Sequence, residues 1–215
     1  RDLRMSRGLG DVYKRQGITL TQYAVAPEAQ ADIPDLEESV RQLAAGRPVQ
    51  YVLAHTEFCG MTFEVGEGVL IPRPETEELV AAAAAEAVAG TAALDVGTGS
   101  GCIAVSLARL IPDARVTAVD LSPQALAVAR RNAVRLGAEV RFVQADELAG
   151  LHELPDAAFD LIVSNPPYVP QSDRAAMHVN VRDYEPPEAL FVPDDDPLRF
   201  YRCLLYTSPS PRDMR

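Results

Sequence analysis

The sequence predicts an α/β fold built on a parallel sheet, and three observations carry that prediction. From residue 92 onward, apolar runs of strand length alternate with helical segments over short connections, the rhythm of strand–helix–strand units with parallel strands. The first run, AALDV (92–96), leads directly into a glycine-rich turn, GTGSG (97–101). The last, FDLIVS (159–164), stops at Asn165-Pro166-Pro167-Tyr168. Proline lacks an N–H and cannot extend a central ladder, so this strand ends at the sheet's carboxyl edge, where open α/β sheets bind ligands.

The elements follow in chain order. Residues 17–46 read as helix and loop, with Leu36, Val40 and Leu43 spaced for one face of a helix over 35–45, closed by Gly46. Residues 57–75 alternate apolar and polar around glycines, which predicts a β-hairpin. An alanine-rich helix over 76–89 ends at Gly90. After the strand at 92–96 come a helix over 102–110 and a second strand, RVTAVDL (115–121). Ser122 caps the next helix, Pro123 takes its first position, and Gly137 stops it. EVRFVQAD (139–146) and FDLIVS (159–164) are the third and fourth strands, and DPLRFYR (196–202) begins a further helix.

The 215 residues suit one domain with an appendage, and 47% hydrophobic content with 24% charge reads as globular and soluble. No apolar run reaches membrane-spanning length. Three scattered cysteines, Cys59, Cys102 and Cys203, suggest neither a disulfide framework nor a metal knuckle and favour a reducing, cytoplasmic setting. The ends differ from the body. Residues 1–16 hold the only lysine, Lys14, and with residues 203–215 they resemble translated adapter sequence; a transit peptide is the rival reading of the Arg-rich start. Without those ends, 13 arginines face 28 acidic residues, a net charge of −15 over 17–202. So acidic a body is a poor partner for polyphosphate and counts against nucleic acid.

The glycines of 97–101 allow positive φ and close approach of backbone to a ligand. Alone they mark only a turn. Asp120 ends the second strand 23 residues beyond Gly97, where a carboxylate can accept from both ribose hydroxyls of a nucleoside cofactor. The loop reads GxGxG with Asp95 two residues before it, not the dinucleotide GxGxxG. That form resembles the first motif of class I S-adenosylmethionine-dependent methyltransferases, with NAD as the alternative cofactor. Asn-Pro-Pro-Tyr resembles the motif of methyltransferases acting on planar NH₂ groups.

Together, residues 48–80, LDVGTGSG (94–101), AVDLSPQALAVARRNA (118–133) and VSNPPYVP (163–170) resemble the HemK-type glutamine N5-methyltransferases, which modify the Gly-Gly-Gln loop of peptide chain release factors. IPRPETE (71–77) separates that family from adenine methyltransferases, and VRDYEPPEALF (181–191) resembles its stretch after the motif. The resemblance implies a Rossmann-like sheet and S-adenosyl-L-methionine as cofactor. Gly97, Thr98, Gly99, Ser100 and Gly101 would hold its methionine part, with Asp95 behind them. Asp120 would take the ribose, and Asp146 and Glu147 would lie at the adenine. Asn165, Pro166, Pro167 and Tyr168 would hold the substrate glutamine, Asn165 also bordering the cofactor. Arg73 and Glu75 sit over the pocket or form a domain-linking salt bridge.

Two departures stand out. Glu147 occupies a position often aromatic in the family, and the family's seven-stranded sheet is represented by about four strands, so the chain reads as a fragment. Its expected organisation is a flank (1–16), a remnant of a helical substrate-recognition domain (17–56), a hairpin linker (57–74), a truncated methyltransferase domain (75–202) and a second flank (203–215). The alternatives are an adenine N6-methyltransferase and a non-catalytic cofactor-binding remnant. No metal site is expected: His55, His152 and His178 lack ligand spacing, and Asp194–Asp196 read as a polar loop before a helix. Cys102 reads as small-residue packing.

Overall fold

The computed structural model describes residues 35–151, 154 and 159–207. The flank at 1–16, the start of the helical region, His152 and the last eight residues lie outside them. The chain divides into two compact units, Arg1–Ala54 and His55–Arg215.

In the first unit, α1 (Leu36–Ala44) and α2 (Val49–Leu53) are joined by a turn through Gly46, whose φ of 93° only glycine takes without strain. Glu38 accepts from Gln42, four residues on, at 2.7 Å, a pair along one face of α1.

The second unit opens with an antiparallel hairpin, β1 (His55–Phe58) and β2 (Met61–Glu64), in which Phe58 pairs with Met61. The turn is only Cys59-Gly60, with φ of 48° and 70°. Two successive left-handed residues match the twist of a two-residue hairpin, and the paired strands end at Glu64, short of the predicted end at 75. Phe58 and Phe63 meet edge to face, centroids 5.9 Å apart, and both are fully buried. Each contributes roughly 2–3 kcal/mol by burial.

Helix α3 (Pro74–Glu86) starts two residues before the sequence reading, because Pro74 takes the first helical position, where its fixed φ fits and its missing N–H costs nothing. It ends at Glu86, where Ala87 turns extended and the Thr91 hydroxyl accepts from Val88 N–H at 3.0 Å.

The sheet holds four parallel strands: β3 (Ala92–Val96), β4 (Arg115–Asp120), β5 (Val140–Gln144) and β6 (Leu161–Ser164), in spatial order β5-β4-β3-β6. Helices α4 (Cys102–Leu110) and α5 (Pro123–Leu136) make the first two crossovers. Ser122 Oγ accepts from Ala125 N–H at 3.2 Å, and Gly137 closes α5 with φ 62°. Strand β6 begins at Leu161 because Asp160 is spent bracing Ala92: its N–H donates to Ala92 O at 2.8 Å and its carboxylate accepts from Ala92 N–H at 2.9 Å.

Alternation along the strands sorts the core onto two faces. Ala93, Val116, Ala118 and Val163 pack with Phe58, Phe63, Val80, Ile103, Leu107 and Ala133, so the hairpin and three helices share one core with the sheet. Leu94, Val96 and Val119 face the other way, against Ala145, Phe159 and Leu204. Leu204 belongs to α6 (Arg199–Thr207), which runs past residue 203 without a break. Beyond β6, Val169–Pro170 pairs in parallel with Phe191–Val192 in a separate two-stranded sheet. Among the described residues no helix is long and apolar enough to cross a membrane.

Candidate functional site

Strand order fixes where the site lies. The chain runs outward from β3 through β4 to β5 and then returns to place β6 on the other side of β3. Between β3 and β6 the order reverses, and a crevice opens at the carboxyl ends of the strands. Val96 is in register with Ser164, and Ser164 Oγ donates to Val96 O at 2.7 Å. The glycine turn and the Asn-Pro-Pro-Tyr segment therefore leave neighbouring strands, about 4.8 Å apart, at the same level.

The glycine turn is held from within. Gly97 and Thr98 N–H both donate to Val119 O, at 3.0 and 2.9 Å; Gly99 N–H donates to Asp120 at 2.8 Å and Gly101 N–H to Thr98 O at 2.8 Å. Phosphate sites need N–H groups aimed outward, and this loop directs four of its five inward. The dinucleotide alternative loses its main support here. Gly101 has φ 81°, and a Cβ there would lie 2.9 Å from Ala129 Cβ, so the close crossing of loop and α5 requires glycine. Cβ atoms at Gly97 and Gly99 would meet nothing within 4 Å, leaving open space above them.

Several carboxylates lie near the turn. Asp95 is fully buried; one oxygen accepts from Thr98 Oγ1 at 2.6 Å and Ala104 N–H at 3.1 Å, while Oδ1 has no partner. Burial pushes its pKa up to about 7. Asp120 accepts Gly99 N–H on one oxygen and Ser122 N–H, at 2.8 Å, on the other. Each oxygen keeps a free lone pair. Its pKa is raised, by burial first and also by nearby Glu188. Glu147 is raised by burial, then by Asp120 and Asp146, and Asp146 accepts from Leu148 N–H at 2.9 Å.

Across the crevice, Asn165 Nδ2 donates to Thr76 Oγ1 at 3.3 Å, Pro166 is buried, and Tyr168 is 60% exposed. Arg73 pairs with Glu185 at 2.5 Å, and Glu185, itself buried, also accepts from Ile71 N–H at 3.1 Å. The Arg73–Glu185 salt bridge lies within the second unit and runs across to the segment after the motif. Glu75 is exposed on the first turn of α3.

Thr76, Asn132 and Glu185 escaped the sequence reading as individuals. Asn132 lies fully buried on α5, accepting from Glu64 N–H at 2.7 Å and donating to Glu64 O at 3.0 Å and Ser100 O at 2.9 Å. A residue that favours caps and turns over helix interiors, set among the apolar positions of a helix, was the available signal. Asn132→Ala leaves three backbone groups unmatched, costing about 3 kcal/mol and lowering Tm by roughly 6–12 °C. A thermal melt within one degree of wild type would remove Asn132 from this role.

The Cys102 thiol is pushed up to about 12 by burial, consistent with packing. Among the described residues no group of His, Cys, Asp or Glu is arranged to hold a metal; Asp194 accepts from Ser172 N–H and Asp196 pairs with Arg202. A groove of about 820 Å³ lies elsewhere, between α5 and β5, where Arg130 covers the Phe142 ring at 5.2 Å. It contains none of the residues above.

The methyltransferase small domain family model matches residues 75–182. The release factor glutamine methyltransferase of Bacteroides thetaiotaomicron is 49% identical over 168 residues, covering 78% of this chain and 60% of that protein. That of Flavobacterium psychrophilum is 47% identical over 171 residues, covering 77% and 59%. That of Chlorobaculum tepidum is 42% identical over 212 residues, covering 94% of this chain and 71% of that protein. The chain thus spans about three fifths of the length of the first two relatives and over two thirds of the third. With a four-stranded parallel sheet and that degree of identity, the chain belongs to the family of release factor glutamine methyltransferases, within the methyltransferase small domain fold.

Proposed function

We propose that this chain forms the cofactor- and amide-binding part of an enzyme that methylates the side-chain nitrogen N5 of a protein glutamine. The substrate is a glutamine of a release factor, as the names of the relatives suggest, within the Gly-Gly-Gln loop that the sequence resemblance implies. The observation that carries the reading is the register of β3 with β6, which sets an amide-binding Asn165 beside a glycine turn walled by carboxylates. These residues fit S-adenosylmethionine: open space over Gly97 and Gly99, free acceptor capacity on Asp120, and an acidic wall suited to a cation.

S-adenosylmethionine supplies an activated methyl group on a positively charged sulfur. The remaining tasks fall to the chain. Gly97 to Gly101 admit the methionine portion, with Ser100 and Thr98 completing the turn and Asp95 bracing it from below. Asp120 accepts from the ribose hydroxyls, and Asp146 and Glu147 border the adenine. A glutamine nitrogen delocalises its lone pair into the carbonyl and is a weak nucleophile. Asn165 Oδ1 and the Pro166 carbonyl accept its two hydrogens, orienting the nitrogen and favouring its pyramidal form in the transition state. Pro167 stiffens the loop, Tyr168 packs on the planar amide, and Arg73 and Glu75 border the entrance. The proton released from nitrogen passes to solvent without a strong general base. The enzyme works in the cytoplasm, where its substrate is made, and takes no nucleic acid substrate.

Titration of S-adenosylhomocysteine into the chain tests the cofactor half. Binding is expected in the wild type and is weakened about tenfold or more in Asp120→Asn, since a hydrogen bond to a charged acceptor contributes about 1.5–3 kcal/mol. The amide variant retains an acceptor for Gly99. Equal affinity in both proteins would break the assignment of Asp120.

A further inference from the structure

We infer that Thr76 is a positioning residue that anchors the Asn165 side-chain amide by accepting from its Nδ2, and that the Arg73–Glu185 pair fixes the turn carrying Thr76. The inference rests on the amide-methylating reading of the site and deepens it. The two ends of a side-chain amide are nearly equal in shape and opposite in hydrogen bonding: one accepts, the other donates. Only the orientation with Oδ1 toward the substrate can receive a glutamine N–H. The reverse sets one NH₂ group against another.

Three observations assign the anchoring of Asn165 to Thr76. Asn165 Nδ2 donates to Thr76 Oγ1 at 3.3 Å, the one hydrogen bond of the Asn165 side chain among the described residues. Thr76 is only 7% exposed, and its branched side chain has few rotamers open to it. Its backbone is fixed as well: Thr76 N–H donates to Arg73 O at 3.0 Å, and Glu185 grips that turn twice, through the Arg73 guanidinium and Ile71 N–H. The block at 71–77 thus acts on an asparagine 89 residues away from Thr76. The site needs a hydroxyl at this position, so valine, with the same branching and no hydroxyl, is the informative replacement.

The full chain is assayed for methyl transfer to a Gly-Gly-Gln protein, alongside Thr76→Val and Thr76→Ser. Thr76→Val is expected to lower kcat about five- to tenfold, the worth of one neutral hydrogen bond, with S-adenosylhomocysteine affinity and Tm unchanged. Thr76→Ser restores most of kcat. Unchanged kcat in Thr76→Val, or equal loss in the serine variant, overturns the inference. A second readout does not depend on turnover. In the ¹⁵N spectrum of the S-adenosylhomocysteine complex, the Asn165 side-chain NH₂ should exchange slowly with water in wild type and Thr76→Ser and faster in Thr76→Val. Protected exchange with no methyl transfer by the wild type would leave Thr76 in place and reject the reaction; exchange alike in all three rejects Thr76.

Discussion

Asn165→Ala is expected to lower methyl transfer at least hundredfold while S-adenosylhomocysteine binds within about threefold of wild type. The size follows from the role. Removing one preorganised partner of a group whose charge changes in the transition state costs about 2.7–4 kcal/mol, or 10²–10³ in rate. Among the described residues, the one side-chain hydrogen bond of Asn165 goes to Thr76 and not to the glycine turn. Its loss should therefore spare the glycine turn, which is held by Val119, Asp120 and Asn132. An equal loss of cofactor affinity would make Asn165 a cofactor ligand first. Unchanged turnover would leave the Pro166 carbonyl as the sole amide acceptor and sink the proposed mechanism.

How much of this was legible beforehand depended on whether a residue's partner lay nearby in sequence. Ser122, Pro123 and Gly137 act on their own helix, and both ends of α5 fall where they predict. The glycine turn and the proline stop could be placed at strand ends because local rules govern them. Thr76, Asn132 and Glu185 act across 89, 68 and 114 residues; only the sheet order brings their partners close, and no local pattern encodes it. Arg73 shows the boundary. Its place at the hairpin exit was readable, but its partner Glu185 lies in a segment known only as following the motif. The position of the hairpin turn was not legible for a different reason: Cys59 takes a left-handed conformation usually given to glycine or asparagine.

Asp95→Asn should remove most of the pH dependence of folding between pH 4 and 7 and raise Tm at pH 8. Asp95 titrates near 7 in the folded chain, against 3.8 for an unhindered aspartate. Between those values the unfolded chain holds fewer protons at this site than the folded one, so stability falls as pH rises across the window and levels off above it. Three units correspond to a cost on the order of 4 kcal/mol at pH 8. An asparagine carries no charge to desolvate, and its oxygen can still accept from Thr98 and Ala104. The variant and wild type should therefore melt together near pH 4 and separate toward pH 8, with the variant the more stable. A constant difference at both pH values would mean that Asp95 is not the titrating group. Asp120 and Glu147, raised in the same direction, add to the slope that remains. Three acids held against their preference near the glycine turn are costly in an empty protein. A cation bound there offsets that cost, which is the physical reason for such a wall to face a sulfonium and not a phosphate. Weaker binding of S-adenosylmethionine by the more stable Asp95→Asn variant would be the expected companion of its higher Tm.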